Sequence, residues 1–479
     1  MLCSQVRQMI QIPGAAAGAI LLLTCGFMAQ TLPSADLPPV YAPDFLLSQE
    51  SEPGEENASV YLAQLSDAAD DDMPPVIPAP AAPDDERVPP EMADSPETPE
   101  MPDDAEPLPP LRTPLASLTE RPGLGMLAAR TPALRLASVP NMLGDFFSGT
   151  SQLEYSYPGP CVNCEVNSMV SAPLAGGGRR LKISENNKAL PMDRIYFMFH
   201  HFHNAVDSHP NTNFPFGGTS SPINRYTIGL EKTFLQGRWS VDLRLPLAER
   251  YSANADELQV EGDSMGNFAL VVKRLLWSSE SSAAAIGLGI DTPTGSDVSG
   301  TLFDNPFVFE NQALHLSPFV GFLVAPTDMC YFQMFLEVDL PTNGNEFALF
   351  SPSSNEFEPL GQLTDQTLFH LDVTAGWWFY RDPTGCGLTG LGSIFEFHYT
   401  TTVDDADVLD VPISAPGITD GRLRFGNLNN RLDVVNFAAG LHALIHENTT
   451  LRVACVFPAY SRFDNPFDAE VHFSLNRYY

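Results

Sequence analysis

From Asp193 to Tyr479 about twelve segments alternate apolar and polar residues, and the links between them switch regularly between short and long. Short links lie near Gln236–Gly237, Ser278–Ser281, Ala325–Asp328, Arg381–Gly387 and His446–Asn448. Long ones run about Asp207–Pro222, Arg250–Asp263, Pro293–Asn311, Pro341–Thr364, Thr401–Asn429 and Ala459–Asp468. Alternation of period two marks strands with two chemically different faces, but a soluble sandwich alternates as well. The switching of link length discriminates, because an up-and-down membrane barrel has short turns at its periplasmic rim and long loops outside. The pattern predicts an all-β fold, an antiparallel transmembrane up-and-down β-barrel of about 12 strands over residues 193–479, with both ends on the periplasmic side.

Individual segments carry the signal clearly. Trp239, Val241, Leu243, Leu245 and Leu247 share one face against Ser240, Asp242 and Arg244 on the other. Phe332, Met334, Leu336, Val338 and Leu340 oppose Gln333, Glu337 and Asp339 in the same way. The closing segment sets Val471, Phe473 and Leu475 against Glu470, His472, Ser474 and Asn476. Pro318 falls inside the proposed strand from Gln312 to Val324 and predicts a bulge or a shifted boundary. Lys232, Arg274 and Arg477 fall on apolar faces, which places them near an interface where their charged ends reach water.

The part before the barrel is of another kind. Between Thr31 and Leu111 there are 20 acidic residues against one basic residue, Arg87, together with 18 of the 43 prolines. Such a stretch repels itself and holds too little apolar surface to offset its chain entropy, so residues 30–111 are expected to be a disordered acidic Pro-rich linker. Its acidity excludes nucleic acid as a partner, since phosphate binding needs a basic surface. Residues 1–29, with Arg7 followed by an apolar and small-residue run from Ile12 to Ala29, read as a secretory signal peptide. Residues 112–192, broken by Pro114, Pro122, Pro132 and Pro140, read as an irregular pre-barrel segment with short helical turns. Export places Cys161 and Cys164 in an oxidising compartment, where a local disulfide outweighs a metal site because tetrahedral zinc needs four ligands. Cys455, on the apolar face of its strand, reads as an inert buried or lipid-facing thiol.

The inward faces predicted by the alternation carry both signs of charge: Arg225, Glu231, Asp242, Arg244, Glu337, Asp339, His370, Asp372, Glu396, His398, Arg452, Glu470 and His472. In a narrow barrel such charges pair across the lumen and close it as readily as they line a pore. Two upstream stretches bear on that choice. The apolar patch Asn141–Phe147 fits the lumen, the periplasmic rim or the outer surface, and Arg179-Arg180-Leu181-Lys182 is expected to be a solvated basic approach segment rather than a plug. His200, His201 and His203 form the densest ligand-capable cluster, but on a strand only His201 and His203 share a face, so a metal would need a third ligand such as Asp207 or His209. Ser474 and His472 share a face, yet no Gly-x-Ser-x-Gly places a nucleophile elsewhere, which argues against an enzyme.

Ile286-Gly287-Leu288-Gly289-Ile290-Asp291-Thr292-Pro293-Thr294-Gly295, with Asn436–Leu441, Val456-Phe457-Pro458 and the closing Ser474-Leu475-Asn476-Arg477-Tyr478-Tyr479, resembles the outer-membrane transporter barrels linked to the meta-cleavage phenol-degradation pathway. The likeness covers about Asp193 to Tyr479. It implies a channel that moves small aromatic or apolar molecules, and it supplies no catalytic or binding residues. The expectation is an outer-membrane barrel with its N-terminal arm in the periplasm, passing small solutes without a cofactor. Its partners would be outer-membrane lipids and the barrel-assembly machinery. The alternatives are a closed structural or anchoring envelope barrel and a barrel-embedded hydrolase.

Overall fold

The computed structural model describes residues 132–145, 150–159, 165–173, 179–180, 182–210, 218–382, 385, 387–415, 418–446, 448–460 and 465–479. The signal peptide, the acidic linker and the Cys161/Cys164 pair lie outside the described residues.

Twelve strands form the wall: β3 (Arg194–His209), β4 (Thr219–Phe234), β5 (Trp239–Ala248), β8 (Ala269–Ser278), β9 (Ser282–Asp291) and β12 (His315–Val324), then β13 (Cys330–Pro341), β16 (Leu368–Arg381), β17 (Leu388–Thr402), β20 (Asp433–Ile445), β21 (Thr449–Pro458) and β22 (Ala469–Tyr478). Each pairs antiparallel with its neighbours in the ring, and β3 pairs with both β4 and β22, so the sheet closes on itself. Closure leaves no wall edge unpaired. All five short links and six long links expected from the sequence fall between these strands.

The side chains are sorted inside out relative to a soluble protein. Large apolar residues such as Ile195, Ile228, Phe332, Phe395 and Phe437 point outward and are exposed, while Glu231, Asp372, Arg452 and Glu470 between them are buried. Only a hydrocarbon surround makes that arrangement favourable, since in water the exposed belt would be a very large apolar patch. Trp277, Trp377, Phe379 and Tyr380 crowd the short-link end of this face, where a membrane barrel carries an aromatic girdle. The three misplaced cations lie at the same rim. Lys232 pairs with Asp193 at 3.3 Å, Arg274 stacks over the Trp239 ring at 5.3 Å, and Arg477 donates to Thr449 at 2.7 Å.

The strand starts at His315 rather than Gln312, and Pro318 produces no bulge. The β12–β13 register is the same on either side of it, Leu316 opposite Leu340 and Phe319 opposite Glu337, and only the ladder positions of Ser317 and Pro318 are skipped. A proline has no N–H to give to the ladder, so the missing bonds are local.

Two further differences from the sequence reading concern the segments outside the ring. The stretch 112–192 is not irregular throughout, because α1 (Pro132–Ala137) and the paired strands β1 (Thr150–Pro158) and β2 (Glu165–Pro173) lie within it. Four of the long links fold into hairpins: β6 (Tyr251–Ala255) with β7 (Leu258–Gly262), β10 (Val298–Leu302) with β11 (Asn305–Phe309), β14 (Asn345–Ser351) with β15 (Glu356–Leu363), and β18 (Val408–Ala415) with β19 (Ile418–Gly426). The first three make a six-stranded sheet, while β18 and β19 join β1, β2 and the far end of β3. An apolar core that includes Tyr155, Leu258, Phe307, Phe309, Phe347, Leu423 and Phe425 holds this cap together. The Phe309 and Phe425 rings meet edge to face at 4.6 Å. Cys455 is also corrected: it is disulfide-bonded rather than a thiol, with its partner outside the described residues.

Candidate functional site

The lumen is filled by the chain that precedes the wall. At the short-link rim Arg135 of α1 pairs with Asp328, and from there residues 138–145 run buried along the inside. The hairpin β1–β2 lies at the opposite rim, where Met169 pairs with His209. Residues 182–192 then run back, again inside, and deliver the chain to β3 at the short-link rim. The two passes touch one another, with Met142 donating its backbone N–H to the Asn187 carbonyl at 2.8 Å. Gly144 lies at one close approach of the two. Its φ is +78°, and a Cβ there would sit 2.6 Å from Glu185 Cα.

Polar side chains of the wall satisfy this inner chain. Glu396 accepts the backbone N–H groups of Leu143 and Gly144 at 2.7 and 2.9 Å, and Glu337 accepts that of Ile183 at 2.9 Å. Arg452 donates to the Asn141 and Met142 carbonyls at 2.8 and 2.7 Å. Arg180 pairs with Asp339 at 2.6 Å, Lys182 with Asp372 at 2.9 Å and with Asp145, and Arg179 with Asp365. Glu185 pairs with Arg225, and Arg244 donates to the Lys182 carbonyl at 3.3 Å. The basic stretch from Arg179 to Lys182 is therefore docked, not solvated. Charge decides this, because inside the barrel an unpaired Asp339 or Asp372 would be far more costly than in water.

Every inward residue named from the sequence is buried inside the wall. Glu231 gathers Arg194 at 2.8 Å and Lys273 at 3.0 Å, and Asp242 accepts from Tyr196 at 2.9 Å and Arg244 at 3.1 Å. His398 faces Asp372 at 2.7 Å and Glu396 at 3.1 Å, His370 bonds Thr400 at 2.8 Å, and Glu470 faces His200 at 2.6 Å. Sequence reasoning missed Arg194, Tyr196, Lys273, His315 and Asn436, which share the same inner face. Placing Arg274 on the apolar face already implied that its neighbour Lys273 points inward.

Small cavities border the inner chain among the described residues. One of about 50 Å³ opens between Arg179, Asp365, Gln366 and Asn427, and another of about 20 Å³ lies between Arg225, Arg244 and Asp291. These volumes hold a few waters at most and no aromatic ring.

The other candidate chemistries come apart. His201 faces outward with Nδ1 at 2.7 Å from Asn224, and His203 is exposed. Asp207 accepts from Ser220, and neither it nor His209 joins them in a ligand group among the described residues. The Ser474 hydroxyl and both His472 ring nitrogens make no hydrogen bond, so no nucleophile–base pair is assembled there.

No family model matches the chain, and no curated protein matches it. Among solved structures it is similar to an outer-membrane channel from Pseudomonas putida F1, at 10% identity and a TM-score of 0.38, over 61% of this chain and 97% of that one. It is also similar to the Pseudomonas putida toluene transporter TodX, at 9% identity and a TM-score of 0.31, over 63% of this chain and 94% of that one. The NanC porin matches at 7% identity and a TM-score of 0.32, over 60% of this chain and 99% of that one. The assignment of a barrel rests on the closed strand ladder and not on these likenesses.

Proposed function

We propose that the chain is an outer-membrane channel for small solutes, held shut in the described state by residues 138–145 and 182–192 and opened when they move. The observation that carries this reading is what fills the lumen. A twelve-stranded wall encloses more space than its own side chains fill, and the filling here is a separate stretch of chain bound by many polar contacts that water can replace, beside a small apolar cluster of Met142 and Ile183 with Phe319 and Phe335. A barrel serving only as an anchor has no need of a removable filling.

The short-link rim takes the periplasmic side, where such barrels have their turns, and the capped rim faces outward. The N-terminal arm then begins in the periplasm, because α1 enters at the short-link rim. Boundaries at 29, 111 and 192 divide signal, linker and pre-barrel segment in this scheme. Once the inner chain moves, Arg225, Asp242, Glu337, Asp339 and the other inward charges line the path. The motif resemblance makes phenolic compounds the first solutes to try.

Planar-bilayer recording of the purified protein tests the reading. The wild type is expected to open rarely. Lys182→Ala removes the cation between Asp145 and Asp372, weakens docking by about 3–5 kcal/mol, and raises opening frequency by at least about a hundredfold. A folded Lys182→Ala barrel that stays silent at every voltage overturns the channel and leaves the anchoring role.

A further inference from the structure

We propose that His200, His472 and Glu470 form a binding site for a divalent transition-metal ion such as zinc, at the seam where the barrel closes. His200 and His472 are ladder partners on β3 and β22, both point inward, and their rings lie 4.4 Å apart. Glu470 enters from the same face of β22, 2.6 Å from His200 Nδ1 and 4.0 Å from His472 Nδ1. One ligand atom from each lies within 4.8 Å of the others, and all three residues are 0% exposed.

Unmet hydrogen bonding points to a ligand. Both ring nitrogens of His472 and the Oε2 atom of Glu470 are buried without a hydrogen-bond partner. Leaving such groups empty-handed in a dry interior is costly, and a metal ion uses the lone pairs of both. The other buried three-residue group among the described residues, Asp145, Asp372 and His398, has two carboxylates and one imidazole. The Lys182 ammonium already sits between its two carboxylates, so no cation is missing there.

The surroundings fit a metal as well. With His200 Nδ1 turned to the ion, its Nε2 faces the Glu185 carboxylate at 3.0 Å, the outer contact that orients metal-bound histidines. Glu185 in turn is paired with Arg225, which neutralises the nearby guanidinium. Tetrahedral zinc with bonds of about 2.1 Å sets its ligand atoms about 3.4 Å apart. The 2.6 Å and 4.0 Å separations reach that value by side-chain shifts under about 1 Å, with water as the fourth ligand. Two imidazoles and one carboxylate select a borderline ion over calcium or magnesium. Because Glu185 belongs to the inner chain, the ion would also strengthen that chain's hold on the wall.

The test uses the full chain, metal-stripped and folded in detergent, with folding checked by heat-dependent gel mobility. Equilibrium dialysis against buffered zinc is expected to load one ion per chain, and cobalt to give the visible absorption of a tetrahedral site. His472→Gln or Glu470→Gln lowers affinity at least about tenfold, Glu185→Gln about tenfold, and outward-facing His201→Ala leaves it unchanged. Absence of stoichiometric zinc in the wild type overturns the site. So does full zinc retention by whichever of His472→Gln and Glu470→Gln folds.

Discussion

The lumen and the cap above it differ in the balance of their contacts, although the inner chain also buries Met142 and Ile183 against Phe319 and Phe335 of the wall. Inside the wall, backbone amides and ion pairs hold the filling: Glu396 to Leu143 and Gly144, Arg180 to Asp339, Lys182 to Asp372. In the cap, aromatic and aliphatic side chains from hairpins far apart in sequence form one apolar cluster around Phe309, Phe347 and Phe425. Apolar packing resists water, whereas a buried polar contact has an alternative partner as soon as water enters. On the proposed reading the cap stays fixed while the filling moves.

Phe347→Ala puts the largest strain on this contrast. It is expected to loosen the cap by about 3–5 kcal/mol, seen as faster protease nicking of the long links, with no rise in channel openings. If the lumen opened as much as in Lys182→Ala, cap and filling would be one cooperative unit and the contrast would fail. Gly144→Ala acts on the other side, costing about 1–3 kcal/mol through its left-handed backbone and the Cβ pressed against Glu185. More frequent openings with an unchanged cap are expected, and the reverse result would place the contact in the cap's support instead.

The smallest effect lies at the junction of the two regions. Burial alone would raise the Asp365 carboxyl, but the Arg179 guanidinium, with His315 and Arg180 beside it, holds it well below its ordinary value of 3.8. A carboxyl depressed on folding contributes stability above its unfolded value and loses it only as pH falls through the folded one. Acidification from pH 7 to pH 5 should accordingly leave the Arg179–Asp365 link intact. Asp365→Asn at pH 7 should mimic its loss, measured as leakage through liposomes, and equal leakage in the two cases would show that the link does not latch the mouth.

How far the sequence can be read follows from the range of each interaction. The twelve wall strands were legible because alternation and link length are local, and a one-residue slip would turn Glu231 or Asp372 out to the lipid. Lys232, Arg274 and Arg477 were placed correctly at a rim by the same reasoning. The hairpins in the long links escaped notice because their strands are short and their faces meet partners from other links. Arg179–Lys182 reads as solvated in the sequence, since a basic run looks the same whether its counter-ions are water-borne or wait about 160 residues away on β13. In the sequence His201 and His203 share a face and His200 stands alone, because its partner, His472, lies across the closing seam.

By itself the sequence determined the period and the number of the strands, and with them which residues turn inward. Tertiary structure alone decided whether those inward charges meet water or chain. Pairings such as Asn141 with Arg452 or Arg180 with Asp339 join residues hundreds of positions or a whole strand order apart, and polar contacts of that kind leave no repeat in the sequence to read.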